Sequence, residues 1–147
     1  MTVPFPPSSI TSKIVLHSAK VGPASSAFKV IAQASNGSLN MNVSSAPVDS
    51  VINLEGSTSN APVNVVLHPA YEGDVYLASG MSPPMLHVEK NVRDPSGRGR
   101  YRSVHTHTFG NFNPGTVEGR VLWGAEDGRR LGSVELSTSN APLTVTL

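Results

Sequence analysis

One six-residue phrase, Ser-Thr-Ser-Asn-Ala-Pro, occurs twice in this chain, at 57–62 and again at 137–142. Each copy is flanked by apolar or small residues at every second position, and weaker versions of the same frame surround Gly37 and Ser82. Alternation of this kind is typical of a β-strand with one buried face. Asn followed by Ala-Pro indicates a bend, because Pro fixes φ and removes a hydrogen-bond donor. The sequence therefore predicts repeated strand–bend–strand units.

The spacing of these marks favours one architecture over another. The marks fall at Gly37, Ala61, Ser82 and Ala141, so the first two intervals are short and similar, and the last interval is much longer. We interpret that last interval as about three units in which two marks have eroded. Repeats of roughly 20 to 50 residues are typical of solenoids, in which each coil stacks on its neighbours. We predict an all-β, repeat-built, β-solenoid-like domain, with an antiparallel β-sandwich as the alternative fold.

Composition narrows the class of protein. The chain has 147 residues, of which 13 are Gly and 12 are Pro. This many turn-forming residues favour a fold of many short strands over one of long helices. Residues 1–12 are predicted to be an irregular segment and residues 13–147 a single all-β domain. Cysteine is absent, which excludes disulfides and thiolate metal sites. With a net charge of +1 and 14% charged residues, no nucleic-acid partner is predicted.

The sequence shows no leader or membrane-spanning signal. Residues 1–7 have no basic region followed by an apolar stretch, and no apolar run approaches the length of a membrane-spanning helix. No transmembrane segment is therefore predicted, and a cytoplasmic location is the default expectation. A fragment of a larger surface protein would have the same features. Alternation continues to Leu147. The strand edge there could be covered by the N-terminal segment or by a second copy, or the native chain could continue, and if the edge is uncovered we expect homo-oligomers formed by edge pairing.

Basic residues are concentrated in one stretch, Lys90–Arg102, which holds five of the eleven Lys and Arg residues. It interrupts the alternation, contains Asp-Pro-Ser-Gly as a turn signal, and is predicted to be a long exposed loop. Guanidinium groups bind phosphate, sulfate or an acidic glycan through paired hydrogen bonds. The simpler interpretation is a solvated loop that aids solubility. The predicted ligand-binding residues are Arg93, Arg98, Arg100, Tyr101 and Arg102.

A second candidate site is the His105-Thr106-His107 triplet. Residues i and i+2 of a strand share a face, so His105 and His107 could approach one metal ion, but no third ligand is nearby in sequence. The repeated Ser/Thr/Asn rows could bind sugars, although such side chains usually satisfy turn backbone groups. Trp123 falls at an inward position of the frame and is predicted to pack in the core.

Several phrases together resemble a domain family of mushroom-forming fungi that has no assigned activity. They are the repeated Ser-Thr-Ser-Asn-Ala-Pro, Tyr71-Glu72-Gly73, the Asp94–Arg100 stretch and Val104-His105-Thr106-His107, and the resemblance spans about residues 35–147. The chain is also similar to adhesin-like domains with repeated Ser-Asn-Gly units that are thought to form β-solenoids. The resemblance implies a fungal origin, a repetitive β fold, and adhesion or surface display.

These features lead to three functional hypotheses. No nucleophile elbow, phosphate-binding glycine loop or paired-carboxylate spacing is present, so catalysis has no support in the sequence. We therefore predict a non-catalytic structural or adhesive binding module of fungal origin, without a cofactor. The alternatives are a cytoplasmic fungal lectin that binds glycans, and a metal-dependent enzyme centred on His105 and His107.

Overall fold

A computed structural model describes residues 9–17, 26–109 and 115–147, and these residues form eleven β-strands and no helix. Consequently, the described residues include no helix that could cross a membrane. The strands are β1 (Ile10–Val15), β2 (Ala27–Ala34), β3 (Leu39–Ser45), β4 (Val51–Thr58), β5 (Val63–Val66), β6 (Gly73–Ser79), β7 (Met85–His87), β8 (Arg102–Phe109), β9 (Gly115–Trp123), β10 (Gly132–Thr138) and β11 (Leu143–Thr146).

The strands form two sheets that share one hydrophobic core. The five-stranded sheet has the order β1-β3-β5-β11-β7, and all of its neighbours are parallel. The six-stranded sheet has the order β2-β4-β10-β6-β9-β8 and is parallel as far as β6, after which β9 and β8 run antiparallel. Buried side chains from both sheets meet in one cluster, including Leu39, Val65, Leu54 and Leu136. Each such side chain contributes roughly 1.5–3 kcal/mol when it is removed from water.

The strand register places the alternating apolar residues of the sequence side by side. Leu39, Val63 and Leu143 are in-register neighbours in the five-stranded sheet. Val30, Leu54, Val134 and Val75 are in-register neighbours in the other sheet. Each of four strand pairs contributes one strand to each sheet, and the aligned apolar residues bury a continuous core. We call these pairs units: β2–β3, β4–β5, β6–β7 and β10–β11.

The β-solenoid prediction is wrong, because the units are not stacked in chain order and the sheets do not close into coils. The β10–β11 unit lies between β4–β5 and β6–β7 in both sheets. The long interval between Ser82 and Ala141 does not contain eroded units: it holds a strandless stretch and the antiparallel β8–β9 pair. The antiparallel sandwich is also wrong, because most neighbouring strands are parallel.

Polar side chains at the bends explain why the repeated phrases are neighbours. The side-chain amide of Asn60 donates to Oδ1 of Asn36 at 2.7 Å, and that of Asn140 donates to Oδ1 of Asn60 at 2.7 Å. Below them, the buried hydroxyls of Thr138 and Ser79 donate to carbonyl oxygens of adjacent bends at 3.4 and 3.1 Å. The Ser/Thr/Asn rows therefore satisfy polar groups of the stacked bends.

The ends of the described chain differ from the predicted boundaries. β1 begins at Ile10 and pairs with β3, so part of the segment 1–12 is a strand. The N-terminal residues 1–8, which were included in the predicted irregular segment, lie outside the described residues. The condition for edge pairing at β11 is not met, because β11 pairs with β5 on one side and β7 on the other. β10 likewise pairs with β4 on one side and β6 on the other, so the β10–β11 unit lies in the interior of both sheets.

Candidate ligand-binding site

The basic stretch Lys90–Arg102 has no strand before its last residue, Arg102, which begins β8, and the stretch is fixed to the body of the protein. Its predicted turn is present: the amide of Gly97 donates to the carbonyl of Asp94 at 3.1 Å. The Asp94 carboxylate also accepts the amide of Ser96 at 2.9 Å. Gly97 and Gly99 have φ of 70° and 71° with open space around them. These glycines therefore serve the turn geometry, since other residues rarely adopt positive φ.

Asp94 and Arg100 form the first fixed point. Oδ2 of Asp94 accepts the backbone amide of Arg100 at 2.9 Å, and Oδ1 accepts its Nη2 at 3.2 Å. Only 4% of the Asp94 side chain and 15% of the Arg100 side chain are exposed. Burial opposes ionisation of Asp94, but hydrogen bonds from Arg100 and Ser96 outweigh it and hold the pKa of Asp94 well below its usual range. Asp94 is therefore a structural carboxylate.

Glu72, which precedes β6, forms the second fixed point. Its Oε1 accepts the backbone amide of Trp123 at 2.7 Å and Nη2 of Arg129 at 2.9 Å. Its Oε2 lies 3.7 Å from Nη1 of Arg100. Only 5% of the Glu72 side chain is exposed, so these partners compensate a buried charge. Asp49 is the third carboxylate, and its Oδ1 lies 2.7 Å from Nη1 of Arg129.

Together these side chains form what we call the ion-pair cluster: Asp49, Glu72, Asp94, Arg98, Arg100 and Arg129. Three carboxylates face three guanidinium groups within this set, and the exposed Asp127 carboxylate adds a contact to Nε of Arg129 at 2.9 Å. Arg98 and Arg100, two of the predicted ligand residues, are therefore used in holding the basic stretch in place. Arg98 reaches Oδ2 of Asp49 at 3.1 Å although its side chain is 62% exposed.

Arg102 differs from its neighbours because its guanidinium forms no hydrogen bond or ion pair with the residues that the structure describes. None of its three guanidinium nitrogens has a hydrogen-bond partner among the described residues, and each is almost completely shielded from solvent. Its guanidinium carbon lies over the Trp123 ring, 6.0 Å from the ring centroid, at the outer limit of a cation–π contact. Burial lowers the pKa of Arg102, and the Glu89 carboxylate opposes that shift only in part. An unpaired buried guanidinium is costly and rare in folded proteins.

Arg102 lies in the wall of a cavity of about 530 Å³ between the basic stretch and β8. This volume is within the range of small-molecule sites. The wall also includes Val88, Glu89, Asn91, Val92, Tyr101 and Val104. Because its guanidinium nitrogens are shielded from solvent, an anion in the cavity would contact them only if the Arg102 side chain rotated toward it.

The structure brings together three of the five predicted ligand residues. Arg100, Tyr101 and Arg102 line the cavity, and Tyr101 is 89% exposed. Arg93 is exposed but lines a separate cleft of about 460 Å³ beside His68 and Pro69. Burial lowers the pKa of His68, whose Nδ1 accepts the amide of Ala70 at 3.1 Å.

Sequence reasoning missed the importance of Arg102 relative to the other arginines. One signal was present: Arg102 alternates with Val104, which packs partly against the core, so Arg102 occupies an inward position. Trp123 is buried as predicted, with 1% exposure, and its Nε1 donates to the carbonyl of Pro69 at 2.9 Å. Asp49 and Glu72 of the cluster had no local signal.

The two histidines of the metal hypothesis are exposed on β8. His105 is paired with Arg120 and His107 with Glu118 on the neighbouring strand. Within residues 9–17, 26–109 and 115–147, no group of three His, Asp or Glu side chains could hold a metal ion. The structure therefore supplies no third ligand from the part of the chain it describes.

Comparison with protein-family models, curated proteins and solved structures found no match to this chain. The feature that bears most on function is the unpaired guanidinium of Arg102, a residue that lines the cavity.

Proposed function

We propose that this protein is a non-catalytic binding module that holds a small anionic ligand in the cavity beside Arg102. The observation that supports the proposal is the unpaired guanidinium, because a buried charge without a partner is retained at a cost to stability. A bound anion would supply the missing partner through charge-assisted hydrogen bonds. The cluster of paired residues next to it holds Arg100 and the basic stretch rigid.

A purely structural role for the basic stretch is the competing interpretation. It accounts for Arg98, Arg100 and Arg129, because each has carboxylate partners. It does not account for Arg102, whose nitrogens have no partner among the residues described. An adhesive or lectin-like activity would use the same cavity, with the anionic group of a glycan as the ligand.

Binding of simple anions tests the proposal directly. Acetate, sulfate and phosphate are titrated into the protein at fixed ionic strength by isothermal titration calorimetry. We expect saturable binding of at least one anion, weakened at least about tenfold in Arg102→Gln, since a charged hydrogen bond contributes about 1.5–3 kcal/mol. Arg93→Gln is the matched control, because Arg93 is exposed on the same stretch but outside the cavity. Absence of binding, or equal loss in both variants, would overturn the proposal.

A further inference from the structure

The charges around the cavity limit the ligand to a single negative charge. Glu89 and Lys90 are both exposed on its wall and have opposite formal charges. Arg100 is already neutralised by Asp94 and Glu72. The guanidinium of Arg102 has no hydrogen-bond or ion-pair partner among the described residues. A monoanion such as a carboxylate matches that charge, whereas a phosphate dianion would face the Glu89 carboxylate with one unpaired cation.

The rest of the wall is suited to a ring that is part apolar and part polar. Val88, Val92 and Val104 provide an apolar surface. Tyr101, at 89% exposure, presents an aromatic face that can cover the C–H face of a sugar ring. Asn91 adopts φ of 59° and is exposed on the same wall, where its amide can both donate to and accept from hydroxyl groups.

From this arrangement we infer that the ligand is a sugar acid, a hexuronate or a glycan end that carries one. Its carboxylate pairs with Arg102, its ring lies against Tyr101 and the valines, and its hydroxyls bond to Asn91. This inference rests on the proposed function and specifies the ligand for the same cavity. It explains why an arginine and an exposed tyrosine occupy adjacent positions, Tyr101 and Arg102, at the entrance to β8.

The test compares D-glucuronate with D-glucose, acetate, sulfate and phosphate by calorimetry at constant ionic strength. We expect glucuronate to bind at least about fivefold more tightly than the other four, since it combines charge and ring contacts. Arg102→Gln should weaken glucuronate at least about tenfold and Tyr101→Ala about three- to tenfold. Tyr76→Ala is the control, because Tyr76 is 42% exposed on β6 and is not part of the cavity wall.

The outcomes separate this inference from the broader proposal. If small anions bind as tightly as glucuronate and Tyr101→Ala changes nothing, the sugar-acid inference is overturned and anion binding stands. If glucose binds as tightly as glucuronate and Arg102→Gln has no effect, both are overturned. If none of the five compounds binds, both are overturned as well.

Discussion

Asn140 donates its side-chain amide to Oδ1 of Asn60 at 2.7 Å, although the two residues are 80 positions apart in the chain. The contact joins the two copies of the repeated six-residue phrase. The unit formed by β10 and β11 is placed against β4 and β5, with β6 and β7 on its other side. The β10–β11 unit, which is far from β4–β5 in the sequence, thereby lies in the interior of both sheets.

This placement predicts the pattern of amide hydrogen exchange. Amides of β10 and β11 should exchange among the slowest in the protein, because both strands are paired on two sides. Amides of β1 and β8 should exchange faster, since each has one neighbouring strand in its sheet. The measurement is exchange followed by mass spectrometry on peptides. Fast exchange throughout residues 132–146 would contradict the observed strand order.

Replacing Arg102 with Met should stabilise the protein in the absence of ligand. The substitution removes an unpaired charge from a shielded position, and such replacements by apolar residues can stabilise by about 1–4 kcal/mol. The free energy of unfolding is measured by urea titration. Arg98→Met is the control, with an expected loss of at most about 1 kcal/mol, because Arg98 forms an exposed pair with Asp49. A large loss of stability in Arg102→Met would show that Arg102 has a structural partner.

Glu72→Gln should destabilise the protein by about 1.5–3 kcal/mol, because Arg129 loses a buried charged partner, whereas Arg100 keeps Asp94. The amide oxygen can still accept the amide of Trp123, so the change isolates the charge. The change in the free energy of unfolding is measured by chemical denaturation. Glu126→Gln removes an exposed pair with Arg120, and we expect no more than about 1 kcal/mol from it. Equal losses of stability in the two variants would contradict the prediction that the ion-pair cluster fixes the basic stretch.

The depressed pKa of Asp94 predicts a pH dependence with a definite sign. The native state favours the ionised carboxylate, so its contribution to stability is fully present above the ordinary value of 3.8. That contribution is lost as the pH falls below 3.8 toward the lower native-state pKa. Asp94→Asn should therefore be less stable than the parent protein at pH 7, and the difference should narrow below about pH 4. Unfolding curves of both proteins from pH 7 to pH 3 provide the comparison, and a constant difference would contradict it.

Local patterns in the sequence predicted many of the strands and their faces. The alternation around Ala61 and Ala141 corresponds to the observed register, and the inward position of Trp123 corresponds to a buried side chain. These features depend on residues close in the chain, where alternation and turn chemistry act. The strand order was not predicted, because similar phrases show that two units are alike without showing which units are neighbours.

The candidate site was also predicted from the sequence only in part. The stretch rich in arginine was recognised, and Arg100, Tyr101 and Arg102 do lie on one cavity. The partners that neutralise Arg98 and Arg100 include Asp49, which is distant in the chain, and no local pattern points to it. The distinction between paired and unpaired guanidinium groups therefore required the tertiary structure.

The central position of β10 and β11 has a consequence for how the chain reaches its fold. While the ribosome is still producing residues before 132, β4 and β6 have no bridging strand between them, and the same holds for β5 and β7. The sheets can be completed only after residues 132–146 have emerged, and these must find partners that were synthesised much earlier. Such high contact order slows folding. Until β10 and β11 have been synthesised, the edges of β4 and β6, and those of β5 and β7, lack the strand that joins them.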